Sequence, residues 1–180
     1  MKKYFCLIFT AIFICNTVFA DASFLTLIKD GSFKEIKEAI KNGADVNDTS
    51  PNGVTALMVA AQYNPSVEVV ELLIEKGAKV NARNSVGATV LMAALGNYNI
   101  DVLKAILKTD IDVNAVGKFN VTALMLAARS TRDGLSLKLL IEAGADTIVK
   151  DDNGYTALDY AKNNPSISNS PIILQLKNVF

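Results

Sequence analysis

Thr55-Ala56-Leu57-Met58 returns three times along this 180-residue chain. It comes back as Thr89-Val90-Leu91-Met92, Thr122-Ala123-Leu124-Met125 and Thr156-Ala157-Leu158-Asp159, at spacings of 34, 33 and 34. A second marker keeps step with the first. Gly43-Ala44-Asp45-Val46-Asn47 returns as Gly77-Ala78-Lys79-Val80-Asn81, Asp110-Ile111-Asp112-Val113-Asn114 and Gly144-Ala145-Asp146-Thr147-Ile148, again at 34, 33 and 34. Two independent markers in one phase define an internal repeat, and such a period signals a stacked array of small units rather than one globule.

One unit can be read residue by residue. Thr55 stands where a helix should start, and its hydroxyl can accept from an exposed backbone N–H. Leu57, Ala60 and Ala61 line one face of a short helix, and the small alanines let the next helix approach. Asn64-Pro65 breaks the chain. Val67, Val69, Val70, Leu72, Leu73 and Ile74 then form a second, more apolar helix. Gly77 follows Glu75-Lys76, as a left-handed helix C-cap would require. Asn84-Ser85-Val86-Gly87 makes a turn into the next threonine. A unit of helix, turn, helix and projecting loop cannot bury both of its apolar faces alone, so neighbours must stack. The expected fold is an all-α repeat solenoid of about four to five units, terminal caps included.

This pattern resembles the ankyrin repeat, with its period of about 33 and a Thr-Pro-Leu-His-type helix start. The resemblance covers residues 24–180. Residues 24–51 supply the second half of a first, capping repeat; 52–85, 86–119 and 120–153 are full repeats; 154–180 form a divergent closing one. The chain departs from the family in three ways. Ala56, Val90, Ala123 and Ala157 replace the usual proline. Met58, Met92, Met125 and Asp159 replace the usual histidine, which implies a more purely apolar seam between repeats. Asp110 and Asn120 replace glycines, both being types that tolerate positive φ.

The remaining composition narrows the chemistry. The chain has 18 basic and 18 acidic residues, no His and no Trp, with 51% apolar content. That balance excludes a strongly basic nucleic-acid binder and wholesale disorder. Without His there is no imidazole acid–base group, imidazole-assisted nucleophile or imidazole metal ligand. Lys2-Lys3, an uncharged stretch over residues 4–20 and the ending Val18-Phe19-Ala20 read as an export signal cleaved after Ala20. A retained membrane anchor is the alternative. A lipid-modified Cys15 fits poorly, because Ile14 precedes it. Both cysteines, Cys6 and Cys15, fall in this segment, so the mature domain 21–180 would have no disulfide, a net charge of −2 and stability from packing alone.

No catalytic, cofactor or metal site is expected. Asp151-Asp152-Asn153-Gly154 lacks the spacing of a calcium loop and reads as a turn. Asn47-Asp48-Thr49 and Asn120-Val121-Thr122 match a glycosylation pattern by accident, since Asn47 and Thr122 already serve the repeat. The periodic methionines are core filler, and Glu68 and Glu71 sit on a solvated helix face. The resemblance implies that function lies on the concave face, where loop tips and first helices bind a protein partner. On this chain the implied partner-binding residues are Tyr63, Val86, Lys118, Phe119, Arg129 and Tyr155. Phe119 stands out, because a loop tip offers an aromatic ring little core to enter. The expected protein is therefore a monomeric, exported, non-enzymatic binding module, free of the membrane once cleaved. Its partner is a periplasmic or extracellular protein, and nucleic acid is not a partner. It acts as an inhibitor or immunity partner of an exported enzyme, or as a secreted effector on a host protein.

Overall fold

The computed structural model describes residues 24–97, 99–132 and 134–177. The expected export signal, its cleavage point and both cysteines lie outside the described residues. Among the described residues ten α-helices follow one another in pairs. They are α1 (Phe24–Asp30) and α2 (Phe33–Lys41), α3 (Ala56–Tyr63) and α4 (Val67–Glu75), and α5 (Val90–Ala94) and α6 (Ile100–Leu107). Then come α7 (Ala123–Ser130) and α8 (Leu135–Glu142), and α9 (Ala157–Asn163) and α10 (Ile172–Lys177). The odd-numbered helices stack on one another in an inner layer and the even-numbered helices in an outer one. This is an all-helical solenoid. Residues 24–51 hold both helices of the first pair.

The repeated threonines start the inner helices. The hydroxyls of Thr55, Thr89, Thr122 and Thr156 accept from the backbone N–H three residues on, at 3.1, 3.4, 3.2 and 3.4 Å. Each such cap is worth about 1 kcal/mol. Leu57, Leu91 and Leu124 are fully buried on the core face, and Ala60, Ala61, Ala127 and Ala128 let the inner helices close on one another. Met58 and Met125 are buried filler, while Met92 is half-buried beside Gly117.

The seam between repeats is not purely apolar. Asparagines at the ends of inner helices tie neighbouring repeats together. Asn64 Nδ2 donates to the carbonyls of Ile28 (2.7 Å) and Gly31 (3.5 Å), and Asn164 Nδ2 donates to those of Ala128 (3.0 Å) and Thr131 (2.9 Å). Asn97 Nδ2 donates to the carbonyl of Asn64 at 3.1 Å. The last carbonyls of an α-helix have no partner within the helix. Here the following repeat supplies one. A second set of clips runs along the loops. Asn47, Asn81 and Asn114 each donate to the carbonyl of Gly77, Asp110 or Gly144. Each also accepts the N–H of Lys79, Asp112 or Asp146. Both glycosylation-like asparagines are thus committed, since Asn120 Nδ2 likewise donates to the Lys150 carbonyl at 2.6 Å.

Asn120 adopts the expected left-handed conformation (φ 57°), but Asp110 does not. Helices α2, α4 and α8 end at Gly43, Gly77 and Gly144 with positive φ. After α6 the chain closes differently: the N–H and Oγ1 of Thr109 donate to the Ile106 carbonyl at 3.1 and 2.7 Å. The seam needs only the Asp110 carbonyl there, which no side chain has to supply.

One buried polar group stands without a partner among the described residues, the Thr147 hydroxyl. Val46, Val80 and Val113 hold its place in the other repeats. An unsatisfied buried hydroxyl costs about 1–3 kcal/mol. Thr147→Val should therefore raise stability by about 1 kcal/mol, read as a higher urea midpoint with an unchanged m-value.

Candidate partner-binding face

The loop tips begin from side-chain acceptors. Ser50 Oγ accepts the Val54 N–H (3.1 Å), Asn84 Oδ1 those of Val86 (3.1 Å) and Ala88 (2.9 Å), and Asp151 Oδ1 those of Asn153 and Tyr155 (both 2.9 Å). These three tips then turn on Gly53, Gly87 and Gly154, all with positive φ. The remaining tip carries Gly117 where the others have an acceptor. With no oxygen to organise it, the chain turns on two successive left-handed residues, Phe119 (φ 61°, ψ 28°) and Asn120. That backbone region costs a bulky L-residue about 1–2 kcal/mol.

Hydrogen bonds lace neighbouring tips: Ser85 N–H to the Asn52 carbonyl (2.9 Å), Lys118 N–H to the Val86 carbonyl (2.9 Å), and Asp152 N–H to the Phe119 carbonyl (3.0 Å). Val86 and Phe119 consequently occupy equivalent places on adjacent tips, 49% and 58% exposed. The Lys118 ammonium lies 4.7 Å from the centre of the Phe119 ring.

The other expected residues spread along the array. Tyr63 ends α3 with its ring 53% exposed, and Lys29 Nζ stands 5.5 Å from the ring centre. Arg129 lies exposed in the last turn of α7. Tyr155, 51% exposed, meets Tyr160 edge to face at 6.0 Å. Tyr160, which the sequence reading passed over, donates from its hydroxyl to Asp151 Oδ2 at 2.5 Å. The signal was available: Tyr160 stands on the first helix of the last repeat, where Val59, Ala93 and Leu126 stand in the others.

This network contributes to the acid response, beside Glu35, Glu68 and Glu75, which bonds to Ser32, Ser66 and Lys76 also hold low. The Tyr160 hydroxyl bond, ahead of the backbone N–H groups, holds the Asp151 carboxyl below its ordinary value, and the same bond raises the Tyr160 phenol. The Thr156 backbone N–H and hydroxyl lower Asp159. A carboxyl lowered by folding stabilises the fold above its unfolded pKa, near pH 4. That contribution is lost as pH falls through the lower folded value. The closing repeat should therefore lose stability in acid, seen as loss of amide protection in α9. Asp151→Asn should remove part of that dependence. On the alkaline side the bond is lost as pH rises through the raised Tyr160 value.

No group of three metal-ligating side chains occurs among the described residues. A cleft of about 280 Å³ lies between the third and fourth helix pairs, floored by Ala94, Ile100 and Leu103. A second, more open hollow of about 470 Å³ lies among Gly134, Leu135, Lys138, Ser170 and Ile172, within the roughly 300–1,000 Å³ of sites for drug-sized ligands. No helix of the described residues is long and apolar enough to cross a membrane.

Two family models match the chain: ankyrin repeats in three copies over residues 24–117, and ankyrin repeats in many copies over residues 106–161. The chain belongs to the ankyrin-repeat family. Curated ankyrin-repeat relatives include alpha-latrotoxin-Lg1a of Latrodectus geometricus, 33% identical over 144 residues, covering 77% of this chain and 10% of the relative. The putative palmitoyltransferase ZDHHC13 of Danio rerio is 28% identical over 153 residues, covering 84% of this chain and 23% of the relative. Neurogenic locus notch homolog protein 1 of Mus musculus is 35% identical over 130 residues, covering 70% and 5%. The chain spans less than a quarter of each of these relatives, so the likeness concerns a repeat region within much larger proteins. Ankyrin repeats are in general non-enzymatic, and their presence implies that this chain is a protein–protein interaction module.

Proposed function

We propose that this ankyrin-repeat chain is exported and grips one protein partner, periplasmic or extracellular, on the face formed by its loop tips and inner helices. The observation that carries the reading is Phe119. A bulky ring held out to solvent on strained backbone contributes nothing evident to folding, whereas a partner could bury it. Val86, Lys118, Tyr63, Arg129 and Tyr155 extend the face along the array. Tyr and Arg are enriched among the residues that dominate binding energy, and a rigid tip lowers the ordering cost of association. The uncharged stretch 4–20 behind Lys2-Lys3 supports export, with cleavage after Ala20. Two biological roles fit the same surface: an inhibitor or immunity partner of an exported enzyme, and an effector acting on a host protein. The absence of histidine and the commitment of Asp151 and Asp159 to local hydrogen bonds support a non-enzymatic role.

The test is affinity capture from the exported fraction with wild type and Tyr63→Ala/Phe119→Ala, the bound protein being identified by mass spectrometry. A specific protein held by wild type and lost by the folded double variant is the expected result. Equal capture by both would remove these residues from the site. Sequencing the N-terminus of secreted material should begin at Asp21, and a chain starting at Met1 would contradict export with cleavage.

A further inference from the structure

The tip bonds and the loop clips form two ladders along the array, and they run in opposite directions. Each tip donates backward: the N–H groups of Ser85, Lys118 and Asp152 go to the carbonyls of Asn52, Val86 and Phe119 in the preceding repeat. Each loop asparagine donates forward: Asn47, Asn81 and Asn114 reach the carbonyls of Gly77, Asp110 and Gly144 in the following repeat, at 3.2, 2.8 and 3.3 Å. The donor left over therefore falls on the tip at residues 50–54 in one ladder and on the loop before Asp151 in the other. Neither place holds a donor. Pro51 stands in the column of Ser85, Lys118 and Asp152 and has no N–H. Ile148 stands in the column of Asn47, Asn81 and Asn114 and carries no amide.

Neither residue is required where it stands. Ser85 and Asp152 hold the same place before Gly87 and Gly154, so the turn does not need proline. Ile148 is 66% exposed and adds little to the core. Its backbone keeps the asparagine arrangement. Its N–H donates to Asp146 Oδ1 at 2.9 Å, as those of Asn47 and Asn114 do to Asp45 and Asp112 at 2.8 and 3.1 Å. The seats for the missing donors persist. The Gly43 carbonyl and Asp45 N–H match the groups that hold each loop asparagine, and the Asn153 carbonyl matches the tip acceptors. None of the three makes a hydrogen bond among the described residues.

We infer that Pro51 and Ile148 shut the joint at which a second copy of this chain would add head to tail. Both ladders would cross that one contact. Position 148 of one copy would reach Gly43 and Asp45 of the next, and position 51 of the next would reach back to the Asn153 carbonyl. Such a contact does not close on itself, so once favourable it continues into a fibre. Taking the donor off an exposed edge, by proline in one case, keeps that edge from pairing.

The test is sedimentation equilibrium of the protein purified from expressing cells, with circular dichroism to show that each variant is folded. Wild type should stay monomeric. Pro51→Ser restores one bond and Ile148→Asn restores two. The double variant should associate in an open-ended series, about fivefold more strongly per restored bond and about 100-fold for the three. A 1:1 mixture of the two single variants should stop at dimers, because only one of its possible joints carries both ladders. A double variant that associates no more strongly than wild type would overturn the inference. So would wild type that already forms the series, or a mixture no more associated than either single variant alone.

Discussion

Asn164→Ala should lower the stability of this protein by about 2–3 kcal/mol, a large loss for an uncharged side chain that touches no ligand. The amide of Asn164 is buried and donates to two carbonyls of the preceding repeat, those of Ala128 and Thr131. Alanine leaves both without that donor. No water reaches so enclosed a position without opening the seam, so the penalty is that of unsatisfied acceptors rather than of one net hydrogen bond. Asn64 does the same work on the Ile28 and Gly31 carbonyls one hundred residues earlier. The two sites share no partner, so the double variant should lose the sum of the single losses to within about 0.5 kcal/mol. Urea unfolding of the four proteins measures this. A large coupling energy would mean that the ends of the array communicate directly, which nearest-neighbour stacking does not allow.

Phe119→Gly should act in opposite directions on folding and on binding. Glycine adopts φ near 60° without a Cβ conflict, whereas phenylalanine does so at a cost. The substitution relieves strain, offset in part by the greater freedom of the unfolded glycine chain. Thermal or urea unfolding should show a gain of up to about 1 kcal/mol. The ring is more than half exposed, so its removal leaves no cavity. Affinity for the captured partner should fall by about 30-fold or more, the loss expected for an aromatic anchor worth at least 2 kcal/mol. A stabilised variant with full affinity would mean that the strained ring is not an anchor. A destabilised one would mean that the ring packs on its neighbours more than its exposure suggests.

The elements legible in the sequence were those that repeat. The threonine caps, the glycine turns at 43, 77 and 144, and the break at Asn64-Pro65 stand where their spacing puts them, because each depends on local backbone chemistry. The polar ties across the seam were harder to see. Asn64, Asn97 and Asn164 keep the period, yet an asparagine before a proline reads as a chain breaker. Only stacking reveals the carbonyls it serves. Asp110 misled for the opposite reason: it stands in a glycine column, but Thr109 closes that helix first. At the candidate face, the exposure of Phe119 was readable from its place at a tip. Its left-handed backbone was not, since that follows from Gly117 lacking the acceptor that Ser50, Asn84 and Asp151 provide.

Stacking of equivalent units is most directly tested by deleting one unit in phase. Removing residues 89–121 joins Ala88 to Thr122 and takes out a 33-residue period. The shortened protein should keep its helicity per residue and a cooperative urea transition, at reduced stability, because the Thr122 helix inherits the contacts of the Thr89 helix. Removing residues 89–105 alone, half a unit, should abolish cooperative unfolding. Equal damage from both deletions would contradict a solenoid built from interchangeable repeats.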